Sequence, residues 1–123
     1  MRKQYHFRPG ENGMQAWDVD RLVRLSADLV PEPIALADIR ELDEAYWGSA
    51  MTCREVAEHA RLIEEADLAF PIICSSDGRV MDGMHRVLKA VLLGRSHITA
   101  VRFVVDPDPD YVGVRDPDEL PYE

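Results

Sequence analysis

The sequence predicts a small α+β fold, a small mixed β-sheet with helices packed on it. Three stretches predict it. Phe70 to Cys74 and Arg79 to Met81 are short apolar runs joined by Ser75-Ser76-Asp77-Gly78, a turn signal, and they read as two strands. After them, Met84, Val87, Leu88, Val91 and Leu92 recur at i, i+3, i+4, i+7 and i+8, the period of an amphipathic helix, and Gly94 follows as its terminating glycine. Thr52-Cys53-Arg54-Glu55 has the spacing of a capping box, so a second helix starts there and runs to about Ala66.

The remaining elements follow in order. Residues 1–17 contain Pro9-Gly10 and Asn12-Gly13, show little periodicity and read as a loosely ordered arm. From Asp18, a suitable N-cap, the positions Val19, Leu22, Val23 and Leu29 fit a helix that Pro31-Glu32-Pro33 stops. Pro33 to Ala37 reads as a short strand and Asp38-Ile39 as a brief turn. The helix after Thr52 is expected to bury Val56, Ala57, Ala60 and Ile63 and to turn Glu58, Glu64 and Glu65 outward. His59 on that helix could face the cleft, but a single helical histidine reads first as a surface or packing residue; it shares no ligand spacing with another histidine, and no metal site is expected. His97 to Val105 is rich in β-branched residues and reads as the last strand of a domain spanning residues 18–105. Residues 106–123, beginning Asp106-Pro107-Asp108-Pro109-Asp110, cannot join a central strand and read as an extended acidic tail.

At 123 residues and 46% hydrophobic, the chain suits one domain with one modest core. No apolar run approaches the length of a membrane span, and Met1 to His6 lack the apolar stretch of a signal peptide. A cytoplasmic protein without membrane contact is expected. Cys53 and Cys74 form no metal spacing and no C-x-x-C pair, which favours free thiols. Net charge is −9, and the stretch from Asp106 to Glu123 holds five Asp, two Glu and one Arg, so it carries −6 and the body −3. Neither part has the basic stripe that non-specific nucleic-acid binding requires, so DNA binding and nuclease activity are not expected.

Two stretches carry candidate chemistry. In Asp82-Gly83-Met84-His85-Arg86 a strand bends into a helix at a glycine, with a histidine and an arginine in the first helical turn. The first N–H groups of a helix lack intrahelical partners and sit at its positive end, so an anion is favoured there. Gly83 admits a ligand close to the backbone, Arg86 can fork onto phosphate oxygens, and His85 can donate a hydrogen bond or move a proton. Asp82 reads as an N-cap, as the group holding one His85 tautomer, or as a base. The second stretch, Arg40 to Gly48, holds three carboxylates, Glu41, Asp43 and Glu44, and two aromatics, Tyr46 and Trp47. It reads as a surface turn with its aromatics folded inward, or as a substrate-facing loop. Its place after one strand, and the motif's after another, suggests that both loops emerge on one side, with a carboxylate across a cleft from His85.

The stretch from Phe70 to Arg102, with Asp77-Gly78-Arg79-Val80-Met81-Asp82-Gly83-Met84-His85-Arg86 and the helix behind it, resembles the core of the ParB/sulfiredoxin-like superfamily, whose members bind nucleotide phosphates at such a box. With the helix after Thr52, the resemblance covers about the middle half of the chain. It implies a nucleotide ligand (ATP, ADP or CTP), with Mg2+ able to bridge the phosphates, held by Gly83, Met84, His85 and Arg86. Resemblance to the small-molecule kinase branch implies that Asp82 and His85 assist phosphoryl transfer and that Glu41, Asp43 or Glu44 accepts the substrate proton. The alternative is a nucleotide-sensing module without turnover, with the acidic tail as adaptor for a protein partner or with a second copy as partner. Where sulfiredoxins carry their cysteine this chain has Met84, so sulfinic-acid reduction is not expected. The 123 residues leave no room for the helix-turn-helix domain of chromosome-partition ParB proteins, so partition-site binding is not expected either.

Overall fold

A computed structural model describes residues 3–122 as a small α+β fold with two sheets and three α-helices. The four-stranded sheet is the one that positions the motif. It contains β3 (Glu32–Ala35), β4 (Ile72–Cys74), β5 (Val80–Asp82) and β6 (His97–Arg102), in the order β3-β6-β4-β5. β4 and β6 run parallel, and every other pair is antiparallel, so the sheet is mixed. Both faces are covered. On one, Ile72, Cys74, Val80, Ile98 and Ala100 pack against Leu36, Ile39 and the α3 (Met84–Leu92) residues Met84, Val87 and Ala90. On the other, Ile73, Met81, Val101 and Phe103 pack against Trp17 and Leu22. This two-sided burial explains why β4 reads as an unbroken apolar run rather than an alternation.

Residues 3–17 are not a loose arm; Met1 and Arg2 lie outside the described residues. β1 (Tyr5–Gly10) and β2 (Gly13–Asp18) form an antiparallel hairpin in which Gly10 faces Gly13. Asn12-Gly13 is the turn chemistry such a hairpin uses, and Gly13 adopts φ 104°, open mainly to glycine. Nor is the acidic stretch a free tail. It returns as β7 (Tyr111–Val114), an edge strand on β2. Trp17 Nε1 donates to the Pro107 carbonyl at 2.8 Å, and Arg21 reaches the Asp108 carbonyl at 2.8 Å and the Asp110 carboxylate at 3.2 Å. Tyr5 stacks edge-on against Tyr111 and Tyr122. The prolines stay out of the strand, and aromatic contacts and ion pairs supply what the segment lacks in aliphatic side chains.

α1 (Val19–Leu25) is capped by Asp18, whose carboxylate accepts from the Asp20 N–H at 2.9 Å. α2 (Cys53–Glu65) begins with the expected capping box between Thr52 and Glu55. Its buried stripe differs from the expected one. Val56, Ala57 and Ala60 are exposed, and the residues turned toward the body are His59, Ile63 and Ala66. α2 packs on α3 rather than on a sheet, and that contact selects a stripe rotated toward His59. Lys89 of α3 donates to the carbonyls of Glu64 and Ala66, at 2.9 and 2.6 Å, closing the C-terminus of α2. Both cysteines are free, Cys53 exposed and Cys74 buried. Among the described residues no helix is long and apolar enough to cross a membrane.

Candidate functional site

The β5–α3 junction is built around Gly83. It takes φ 107° as the residue preceding α3, and a Cβ there would lie 2.7 Å from Ile72 Cγ2 and 2.8 Å from Arg86 Nη2. Glycine is required twice, by the backbone and by the space. No side chain caps α3, and the backbone bond from the Val87 N–H to the Gly83 carbonyl, at 3.1 Å, is the first of the helix. The N–H groups of Met84, His85 and Arg86 precede it, at the positive end of the helix dipole.

Asp82 and Arg86 hold one another. Arg86 Nη2 donates to Asp82 Oδ2 at 2.9 Å, and Nη1 donates to the carbonyls of Phe70 and Pro71 at 3.1 and 2.9 Å. Both side chains are less than one-fifth exposed. Asp82 is therefore not the cap of α3, and the arginine fork is closed over Gly83 rather than extended toward solvent. One guanidinium ties together the approach to β4, the end of β5 and the first turn of α3.

His85 meets a partner that the sequence reading left aside. His59 Nδ1 and His85 Nε2 are 2.8 Å apart, and the rings are near-parallel. Trp47 lies over both, with ring centroids 4.9 Å from His85 and 4.1 Å from His59, and Tyr46 meets Trp47 edge-on. Three elements converge here: the 40–48 loop, α2 and α3. Burial and the neighbouring His59 hold His85 below its ordinary pKa, against the opposing pull of Asp82. Burial, with Glu41 and Asp82 nearby, pushes the Tyr46 hydroxyl up to about 12, so it stays protonated.

The acidic loop does reach the motif, but its carboxylates serve the sheet. Glu41 is 3% exposed and accepts from the Val80 N–H, which lies on the open edge of β5, while its Oε1 has no partner. Glu44 takes both bonds of Arg79 at 2.9 Å, and Arg40 donates to the Asp77 carbonyl at 3.3 Å. Asp43 is exposed. The group of this loop that faces His85 is the indole of Trp47.

Between α2 and the start of α3 opens a cleft of 360 Å³, walled by Leu62, Glu65, Asp67 and Phe70 and closed below by Asp82 to Arg86. Comparison with protein-family models, with curated proteins and with solved structures finds no match. The chemistry of the cleft therefore rests on its own residues. The uncapped N–H groups suit phosphate oxygens. Glu65 and Asp67 would repel a bare anion and tolerate one carrying a cation. Among the described residues no group of three or more His, Cys, Asp or Glu could hold a metal ion. His59 and Trp47 were the residues that sequence reasoning missed as a unit. The available signal was the i, i+4 pair His59–Ile63 on a helix already assigned; reading its stripe one position differently puts His59 inward.

Proposed function

We propose that this chain is a ParB/sulfiredoxin-like domain that binds a phosphate-bearing small molecule, of the nucleotide class, at the β5–α3 junction. The observation that carries the reading is the start of α3, which no side chain caps and whose residues Met84 to Arg86 line the cleft. The strand–bend–helix order around Gly83 supports the family reading. Arg86 supports the site from beneath: by fixing Asp82 and the Phe70–Pro71 backbone it sets the position of the helix start. The donors facing the ligand are then backbone groups and the His85 ring.

A second observation bears on turnover. Glu41 and Glu44, two of the loop carboxylates that could have served as catalytic base, are engaged by Val80 and Arg79. This favours binding without turnover, a sensing module, over a kinase or hydrolase. If the chain does turn over, His85, backed by His59, is an acid–base group at the cleft. Calorimetric titration with ATP, ADP and CTP, with and without Mg2+, followed by 31P NMR of the same mixtures, tests both points. Saturable binding with unchanged nucleotide supports the module; product supports the enzyme; no binding by any nucleotide or by inorganic phosphate removes the reading.

A further inference from the structure

A second cleft, of 590 Å³, opens at the other end of the four-stranded sheet. It lies where β4 and β6 end, at Cys74 and Arg102, whereas α3 starts beside Phe70 and Pro71, before β4 begins. Its volume is that of a small-molecule pocket. The floor is apolar: Ile39, Cys74 and Ala100 are each at most 3% exposed. Burial, and secondarily Glu41, pushes the Cys74 thiol up to about 11, so the floor is also uncharged at neutral pH.

Three charged side chains stand on the walls: Glu32 on β3, Asp38 just after it, and Arg102 at the end of β6. Glu32 faces Ala100 in register, and Arg102 lies two residues further along β6. The two charges are diagonal neighbours on one face, a spacing that long side chains can span. Six other cations of the chain, Lys3, Arg21, Arg40, Arg61, Arg79 and Arg86, have a carboxylate within 4.0 Å. Among the described residues, Glu32, Asp38 and Arg102 have neither an ion pair nor a side-chain hydrogen bond. Opposite charges are held apart over an apolar floor.

We propose that this cleft binds a small zwitterion with an apolar body, an apolar α-amino acid, its carboxylate on Arg102, its ammonium between Glu32 and Asp38, and its side chain on Ile34, Ile39 and Ala100. The charges select this class. A phosphate would meet two carboxylates, a plain amine would meet Arg102, and a neutral apolar molecule would desolvate three charges without pairing any. The site is independent of the phosphate cleft, and its test uses no nucleotide.

The test is an NMR titration of the isotope-labelled chain with L-leucine, leucinamide and N-acetylleucine, the last two lacking the carboxylate and the ammonium charge respectively. L-leucine is expected to shift Ile34, Ile39 and Ala100 saturably, and each truncated ligand to bind about tenfold more weakly, a difference of about 1.4 kcal/mol. Arg102→Gln should weaken leucine and N-acetylleucine about tenfold and leave leucinamide unchanged; Glu32→Gln should weaken leucine and leucinamide and spare N-acetylleucine. Both side chains are exposed, and the dispersion of the spectra reports whether the variants fold. The proposal is overturned if leucine at about 20 mM, well above a millimolar Kd, gives no saturable shift. It is equally overturned if the three ligands bind alike, or if Arg102→Gln binds leucine as the parent does.

Discussion

His59 Nδ1 lies 2.8 Å from His85 Nε2, and the Trp47 indole lies across both rings. One hydrogen is shared between two nitrogens, so the contact requires at least one neutral ring. His85 is held below the ordinary value of 6.5 by burial and by His59, and so stays neutral at pH 7. The contact is intact there, with His85 as the neutral partner, and weakens below pH 6.5 as His85 takes up a proton.

That arrangement gives an optical readout. A charged imidazolium stacked on an indole quenches its emission, so Trp47 fluorescence should fall in a step centred below pH 6.5. Trp47→Phe should remove the step, and His59→Gln should move it up, since His59 is one of the influences lowering the His85 pKa. A step that survives in Trp47→Phe would belong to Trp17, which packs near His6.

His6 sets a pH dependence of stability. It is buried, and burial, with Arg8 adding to it, lowers its pKa to about 4. The folded chain keeps this ring neutral while the unfolded chain takes up a proton from pH 6.5 downward. The contribution is complete above pH 6.5 and is lost as pH falls from there to about 4. At roughly 1.4 kcal/mol per pH unit, the loss is about 3 kcal/mol. Urea denaturation at a series of pH values should show it, and His6→Leu should flatten the curve over that window.

Arg86→Ala should destabilise the fold by about 2–4 kcal/mol, because it strands the Asp82 carboxylate and frees two backbone carbonyls in a half-closed site. Arg86→Lys should recover only part, since a single ammonium cannot reproduce the fork. Gly83→Ala should cost at least about 2 kcal/mol from backbone strain and contact with Ile72. Urea midpoints at pH 7 check all three.

Glu41 and Glu44 should separate clearly. Glu44→Gln removes an exposed pair with Arg79 and should change stability by about 1 kcal/mol or less. Glu41→Ala leaves the Val80 N–H without its acceptor and opens a buried space, so about 2–3 kcal/mol is expected. If instead Glu41→Ala is neutral in a thermal melt, the loop is not held by its carboxylate.

The local elements were legible because their signals are local. Thr52 and Glu55 announce a capping box within four residues, and Gly83 announces a bend by what surrounds it. The strand pair around Ser75-Ser76-Asp77-Gly78 and the α3 period were legible for the same reason. What escaped depends on distant partners. Tyr5 and Tyr111 are far apart in sequence, and neither reads as strand-forming in a stretch broken by glycines or prolines until the other is beside it. The same holds at the site: Asp82, Gly83, His85 and Arg86 were recognisable together, yet Arg86 turned inward because the Phe70 and Pro71 carbonyls await it there. His59 became part of the site only through the rotation of α2 that its packing on α3 imposes.

α2 is the one long helix with no buried residue. It rests on His59, Ile63 and the two carbonyls that Lys89 holds. Amide exchange should therefore divide the chain into two tiers, with the α2 amides released far sooner than those of β4, whose three residues are all buried. One wall of the cleft between α2 and α3, carried by Leu62 and Glu65, belongs to the fast tier, whereas its base leads into α3, whose Val87 and Ala90 are fully buried. The aperture is thus adjustable at little energetic cost while its base stays fixed.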